Sequence, residues 1–422
     1  MLTFAIIGLG SRGRKTYLKE LVKMPERAKI VAIADPDEEK LKDAAEILGL
    51  SPEYCFSSAE ALLEQPKLAD AVLICTHEQQ HVPQAIPAIK KGYHVLVEKP
   101  IAPDVESCRE LLAVAREYDR KVVVCHVLRY SYFYRKIKEI LDSGDLGELK
   151  NLQASEEVAY WHYAHSFVRG NWRNSNVTSP MFLAKCCHDM DILVWLTGQK
   201  CRKVSSFGSL DHYREECAPE GAARRCLDGC KAKDQCPFDA EKIYITNKTG
   251  VLHTKGWATA MLAVEMTEEN VREALKKGPY GRCVYYCDNN VVDHQVVNLE
   301  MENGLTVNFS MCGFCGHGRR YMNIMGTRGS MIADMQKEQL IISVFGQETK
   351  VIDFADEKNK QGGHGGGDPV LVREFLDYLS GEEPKGITVL EDSMESHFIA
   401  MAAEESRLRG GESIELAKFR MS

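Results

Sequence analysis

No apolar run in this 422-residue chain reaches the ~18–20 residues that cross a bilayer, so no membrane-embedded segment is expected. Long Lys/Arg runs are missing too, and the net charge is −8. A surface of that sign does not attract polyphosphate backbones, which removes nucleic acid as a partner. No internal repeat or low-complexity stretch is present, and 32 glycines and 14 prolines are ordinary numbers, which excludes collagen-like and disordered classes. Met1 leads straight into an apolar strand-like run, without a basic leader and cleavage site. The expectation is a cytoplasmic globular protein of two or three domains, at ~100–200 residues per domain.

Apolar runs and amphipathic stretches alternate through the first part of the chain. Leu2–Ile7, Ile30–Ala34, Ala71–Cys75, Val95–Val97 and Val122–Cys125 read as strands with helical segments between them. Strands without in/out alternation, separated by helices, predict a doubly wound α/β domain on a parallel sheet, residues 1–125. Beyond Tyr134–Leu141 the texture changes. Leu149–Tyr160, Val204–Leu210, Asp293–Glu300, Leu305–Met311, Tyr321–Met325 and Leu340–Phe345 read as strands, some joined by short turns. They predict a second, α+β domain over 126–422, built on a largely antiparallel sheet, with a Cys-rich insertion at about 211–240 and helices at about 368–408.

Gly8-Leu9-Gly10-Ser11-Arg12-Gly13 follows the first strand directly and opens a helix. The first glycine permits a tight turn, the second lets backbone approach a pyrophosphate, and the third lets helix pack on strand. The helix N-terminus adds free N–H donors and a positive dipole. Asp35 ends the second strand 22 positions after Gly13, the spacing of a ribose clamp. An acid there accepts from the adenosine 2′- and 3′-hydroxyls and repels a 2′-phosphate, so NAD is expected over NADP. Arg12 is the nearby guanidinium that would tolerate a phosphate. Thr76, His81, Glu98 and Lys99, at or just beyond strand ends, complete the expected cofactor set, because ligands of open α/β sheets gather at the carboxyl ends of the strands.

The segment Ser179–Leu196 predicts a helix with Ser179 as N-cap and Pro180 in its first turn. Lys185, His188, Asp191 and Trp195 are spaced by three, three and four, along one face. Oxidising a secondary alcohol requires a base for the hydroxyl proton as hydride leaves, and histidine titrates in the right range. A lysine ammonium would hold the substrate oxygen, and Asp191 would orient the ring or accept a substrate hydroxyl.

The order Gly-Leu-Gly-Ser-Arg-Gly, then Val-Glu-Lys-Pro, then His-Asp-Met-Asp-Ile-Leu before a Trp-Leu-Thr-Gly end resembles the Gfo/Idh/MocA oxidoreductases, the group that includes glucose–fructose oxidoreductase and inositol dehydrogenase. The resemblance implies a Rossmann domain followed by an α/β domain whose open sheet commonly forms the subunit interface, hence a homodimer or homotetramer. By position it makes Lys99 the active-site lysine, His188 the proton-transfer residue and Asp191 the acid three positions later. One position departs: many members carry Asp four residues before the histidine, where this chain has Ala184, with Lys185 beside it.

Arg129, His165, Arg169, Trp172, Arg173 and His364 are the expected substrate contacts. Most lie in an aromatic and basic loop suited to sugars, and the resemblance to an NAD-dependent glycosidase branch with a Gly-Gly-His-Gly-Gly stretch brings His364 towards the cleft. Cys217, Cys226, Cys230 and Cys236, among 15 cysteines, crowd a stretch poor in apolar residues. Disulfides are disfavoured in a reducing cytosol. The readings are a structural Zn²⁺ site, an iron–sulfur cluster, or unligated thiols. The expected function is NAD-dependent hydride transfer at a secondary hydroxyl of a sugar, glycoside or cyclitol. Its rivals are a glycosidase that oxidises and re-reduces its substrate on bound NAD, and a catalytically silent dinucleotide or sugar sensor.

Overall fold

The structure, a computed structural model, describes residues 1–263, 265–354 and 363–421. Strands β1 (Leu2–Ile7), β2 (Ala28–Ala34), β3 (Cys55–Phe56), β4 (Ala71–Ile74), β5 (His94–Val97) and β6 (Val122–Val124) form one sheet in the order β3-β2-β1-β4-β5-β6. Every pairing in it is parallel. Helices cover both faces, which is why β4 is buried at all four positions. The strand order reverses beside β1, and there the glycine loop opens towards a ligand crevice. The sequence pattern did not show β3, whose two residues are too few for periodicity.

The second sheet contains β7 (Leu149–Ala159), β8 (Cys201–Ser209), β9 (His294–Met301), β10 (Thr306–Cys315), β11 (Arg319–Gly326), β12 (Gly329–Asp334), β13 (Gln339–Val344), β14 (Lys350–Asp353) and β15 (Ile414–Glu415). Their order is β14-β13-β12-β11-β7-β10-β9-β8-β15. All pairings are antiparallel except β7 with β10, so the sheet is mixed. Burial alternates along β9 and β10, with one face on the core and the other outward. The inner face rests on helices Met181–Thr197 and Leu390–Leu408, and Phe182 meets Phe309 edge-on at 5.7 Å.

The chain's return joins the two lobes. Helix Gly363–Leu379 places Leu371, Val372, Phe375 and Leu376 in one core with Phe4, Ile6 and Ile33 of the parallel-sheet lobe. Just beyond it, the Thr388 carbonyl accepts from the Val124 N–H at 2.8 Å at the β6 edge. Segments of the insertion between β8 and β9 form a third, smaller core around Ala240, Ile243, Tyr244, Val271 and Leu275.

The Phe375 side chain is 1% exposed and meets Phe4 with ring centroids 6.2 Å apart. Phe375→Ala is expected to cost about 3–5 kcal/mol in urea denaturation. A loss under about 1 kcal/mol would show that this helix is not part of the first lobe's core.

Candidate active site

The glycine loop has the form a pyrophosphate cradle needs. Gly8 sits at φ +91, and a Cβ there would lie 2.7 Å from the Cys75 carbonyl oxygen. A Cβ on Gly13 would lie 1.9 Å from the Gly8 carbonyl oxygen, which is why helix meets strand only through glycine. A Cβ on Gly10, by contrast, meets nothing within 4 Å, and Gly10 and Ser11 are exposed, so this edge is open to a ligand. Asp35 accepts from the Leu9 N–H at 2.6 Å and the Asp37 N–H at 2.9 Å, and its carboxylate is braced beside the loop. These residues fit a dinucleotide.

Other members of the expected cofactor set build the loop walls. The Arg12 guanidinium donates to Glu98 at 2.6 Å and pairs with Asp368 at 2.8 Å, so it joins the glycine loop, the end of β5 and the segment Gly363–Leu379. Burial pushes the Glu98 carboxyl up, but Arg12 and the Tyr17 hydroxyl outweigh it and hold it below the ordinary carboxylate range. His81 is 1% exposed, with its ring nitrogens 2.8 Å from the Pro100 carbonyl and 3.1 Å from the Thr76 carbonyl. It pins two loops together and does not face the crevice. The Thr76 hydroxyl donates to Gln84 at 2.8 Å.

Lys99 leaves the end of β5 and donates through Nζ to the Ala184 carbonyl at 2.7 Å, one turn before His188. The lysine of one lobe therefore meets the histidine helix of the other. His188 is 7% exposed and its Nδ1 has no hydrogen-bond partner. Burial first, then the charge of Lys99, holds it well below the usual imidazole value, so it is neutral at physiological pH. The His364 ring lies 6.5 Å from it, and His364 Nδ1 is 3.1 Å from the Asp368 carboxylate.

Asp191 does not face the crevice. It is 1% exposed and accepts from Arg129 at 2.7 and 2.6 Å, which also takes Arg129 out of the substrate set, because a buried carboxylate needs the guanidinium. Lys185 pairs with Glu156 at 3.2 Å. Glu156 also meets Arg320 at 2.8 Å, and Arg320 in turn holds Asp189 at 2.7 Å. The predicted cap is absent: Pro180 precedes the first turn, and the Ser179 hydroxyl donates to Glu78 at 2.9 Å.

Much of the aromatic and basic loop is structural. Arg169 is fully buried and donates to the Arg282 carbonyl at 2.7 Å and the Phe238 carbonyl at 2.6 Å. Arg173 pairs with Asp288 at 2.6 Å, and Trp172 packs towards Phe167. His165 stacks on Tyr280 at 4.6 Å and shares a 3.0 Å hydrogen bond with the Tyr244 hydroxyl.

The four-thiolate expectation is also corrected. Among the described residues no group of three or more His, Cys, Asp or Glu side chains is gathered as metal ligands. The Cys217 thiol donates to the Asp211 carbonyl at 3.3 Å, whereas Cys226, Cys230 and Cys236 line a small cavity with Cys283 beside Arg169. Arginine supplies the order the sequence seemed to lack: Arg169 as above, and Arg225 donating to the Leu275 and Gly278 carbonyls, both at 2.6 Å.

Sequence reasoning missed Glu156, Asp189, Arg320, His126 and His397. His126 follows β6 at its carboxyl end, where ligand groups gather, so position alone marked it. Glu156 and Arg320 lie on neighbouring strands far apart in the chain, and nothing local announces their meeting.

Residues 2–126 match the sequence model described as "Oxidoreductase family, NAD-binding Rossmann fold", and residues 138–416 match "Oxidoreductase family, C-terminal alpha/beta domain". The putative oxidoreductase YteT of Bacillus subtilis is 22% identical over 89% of this chain and 89% of its own length. An inositol 2-dehydrogenase of Streptomyces avermitilis is 30% identical over 49% of this chain and 56% of its own length, so that alignment spans about half of each protein. Among solved structures, an Agrobacterium radiobacter oxidoreductase in complex with NAD+, L-tartaric acid and magnesium superposes with TM-score 0.68 at 16% identity, covering 99% of both chains. An inositol dehydrogenase homolog complexed with NAD+ from Azotobacter vinelandii gives 0.69 at 14% identity, covering 98% of this chain and 97% of that one. At such identities the structural likeness establishes the fold. No helix among the described residues is long and apolar enough to cross a membrane.

His188 is expected to stay neutral well below the ordinary imidazole value of 6.5. Histidine-selective NMR over about pH 5–7 checks this, and half-titration at 6.5 or above would contradict the burial argument.

Proposed function

The chain belongs to the Gfo/Idh/MocA oxidoreductases, and from that premise we propose that it is an NAD-dependent enzyme oxidising a secondary hydroxyl of a sugar, glycoside or cyclitol. The observation that carries this reading is the convergence of Lys99 and His188: an ammonium from the end of β5 bonded within one turn of a buried neutral imidazole. The dinucleotide, when bound, supplies the hydride acceptor at its nicotinamide.

An ammonium has three donors, and the Ala184 carbonyl takes one at 2.7 Å. Lys99 is thus anchored while it binds the reacting oxygen and stabilises the negative charge that develops there. His188 takes the hydroxyl proton; burial keeps its imidazole in the unprotonated form that a base needs while lowering its proton affinity. Asp191 and Arg129 act through the helix, as a bidentate pair that fixes its rotation. Lys185 remains a candidate for the substrate's outer hydroxyls, held by Glu156.

Asp35 supports NAD over NADP. A 2′-phosphate would meet its carboxylate, and Arg12, the cation that would offset it, is taken by Glu98 and Asp368.

A second reading has its own observation. His364, backed by Asp368 and 6.5 Å from His188, supplies the additional acid/base group that transient oxidation followed by elimination of a glycoside would use. The exposed outer face of the second sheet, where Phe207 and Val296 are 54% and 41% exposed and paired across strands, supports self-association as a homodimer or homotetramer.

His188→Ala is expected to lower kcat/KM by ~10²–10⁴ with NAD+ affinity unchanged. Full turnover in that variant refutes the assignment. On a panel of glycosides and cyclitols, NADH accumulation at 340 nm identifies net oxidation, glycoside cleavage without NADH identifies the second reading, and NAD+ binding without turnover identifies a sensor. In light scattering, Val296→Glu is expected to lower the oligomeric mass, and an unchanged mass removes this face from the interface.

A further inference from the structure

The insertion between β8 and β9 does more than decorate the second lobe. Its segment Trp257–Ala260 is anchored from below, with Ala258 4% exposed and Thr259 fully buried. From the side, the Ala260 carbonyl accepts from Lys15 Nζ at 3.5 Å, on the helix that the glycine loop opens. Trp257 is nevertheless 42% exposed. Behind it lie Trp161 at 5.9 Å and His162 at 4.9 Å between ring centroids, from the turn that follows β7, and His165 at 4.8 Å. Burial first, then the charge of Lys185, holds His162 well below the ordinary imidazole range. The partly exposed indole thus lies on a segment that reaches the phosphate-loop helix through Ala260, and it packs on the aromatic turn that follows β7.

An exposed aromatic ring held by packed neighbours suits a ligand that is apolar on one face and polar at its edge. A pyranose or cyclitol ring has that form, with axial C–H bonds on the face and hydroxyls around the rim. We propose that the exposed part of the Trp257 indole, backed by Trp161 and His162, is the platform on which the substrate ring stacks, so that this insertion selects the ring presented to Lys99 and His188. The proposal deepens the oxidoreductase reading above and rests on it. It also explains why the aromatic loop expected to contact substrate is largely buried: those rings support the platform, and the contact is made by a residue some eighty positions further along.

The test uses the full chain saturated with NAD+ and ligand-observed saturation-transfer NMR with myo-inositol, methyl β-D-glucopyranoside and methyl β-D-galactopyranoside. At least one probe is expected to bind and to receive saturation chiefly on the C–H protons of one ring face. Trp257→Leu, which keeps apolar bulk without a π face, is expected to weaken that probe about tenfold or more, and Trp257→Phe to recover most of the loss, with melting temperature and NAD+ affinity unchanged. Undiminished binding in the Leu variant overturns the platform and leaves the oxidoreductase reading standing. A drop in melting temperature or NAD+ affinity that accompanies the loss in both variants overturns it too, by showing a structural role. Failure of all three probes to bind the wild-type protein overturns the sugar and cyclitol reading itself, and the platform with it.

Discussion

One hydrogen bond joins the two halves of this molecule at the point where chemistry is expected. Lys99 Nζ, at the carboxyl end of a parallel strand, donates to the Ala184 carbonyl within the histidine helix. Strand ends in an open α/β sheet are fixed by the sheet, and a long buried helix is fixed by its packing. A contact between the two therefore sets the lysine relative to the imidazole before any ligand arrives. The acceptor is a backbone carbonyl, so this contact depends on the helix's position and not on the side chain at Ala184.

Around that bond the interior is unusually charged, and each charge has a partner from another element. Arg12 holds Glu98 and Asp368, Arg129 holds Asp191, and Arg320 holds Glu156 and Asp189. Buried pairs of this kind add little net stability, because desolvation offsets attraction. Their effect here is geometric. Removing one partner leaves an isolated charge, so the glycine loop, the end of β5, the histidine helix and the segment Gly363–Leu379 are held in one relative arrangement. The histidines obey the opposite rule. His126, His188 and His397 lie ring to ring and are driven below their ordinary range by burial, so this part of the interior stays neutral where an uncharged base is needed.

The insertion shows a different solution to a shortage of apolar residues. Its cysteines suggested a metal staple, yet the described residues gather no ligand set. Instead, Arg169 and Arg225 donate to main-chain carbonyls that would otherwise be stranded in loops, and a few aromatic rings close a small core. Guanidinium groups suit this role because their several donors are rigid and point in fixed directions.

Local pattern determined much of this protein. Five of the six parallel-sheet strands, the glycine cradle, the acid at the end of β2, the helix bearing His188 and the largely antiparallel second sheet follow from periodicity and spacing within short windows, which is where backbone geometry is decided. Tertiary structure decided which polar side chains face the crevice and which hold the walls. Asp191, Arg129, Arg169 and His81 had the composition of site residues and proved to be braces, whereas Glu156 and Arg320 carried no local signal. The physical reason is that a charged or aromatic residue looks the same in sequence whether it meets a ligand or a partner, and its partner is chosen by contacts between segments that local pattern does not relate.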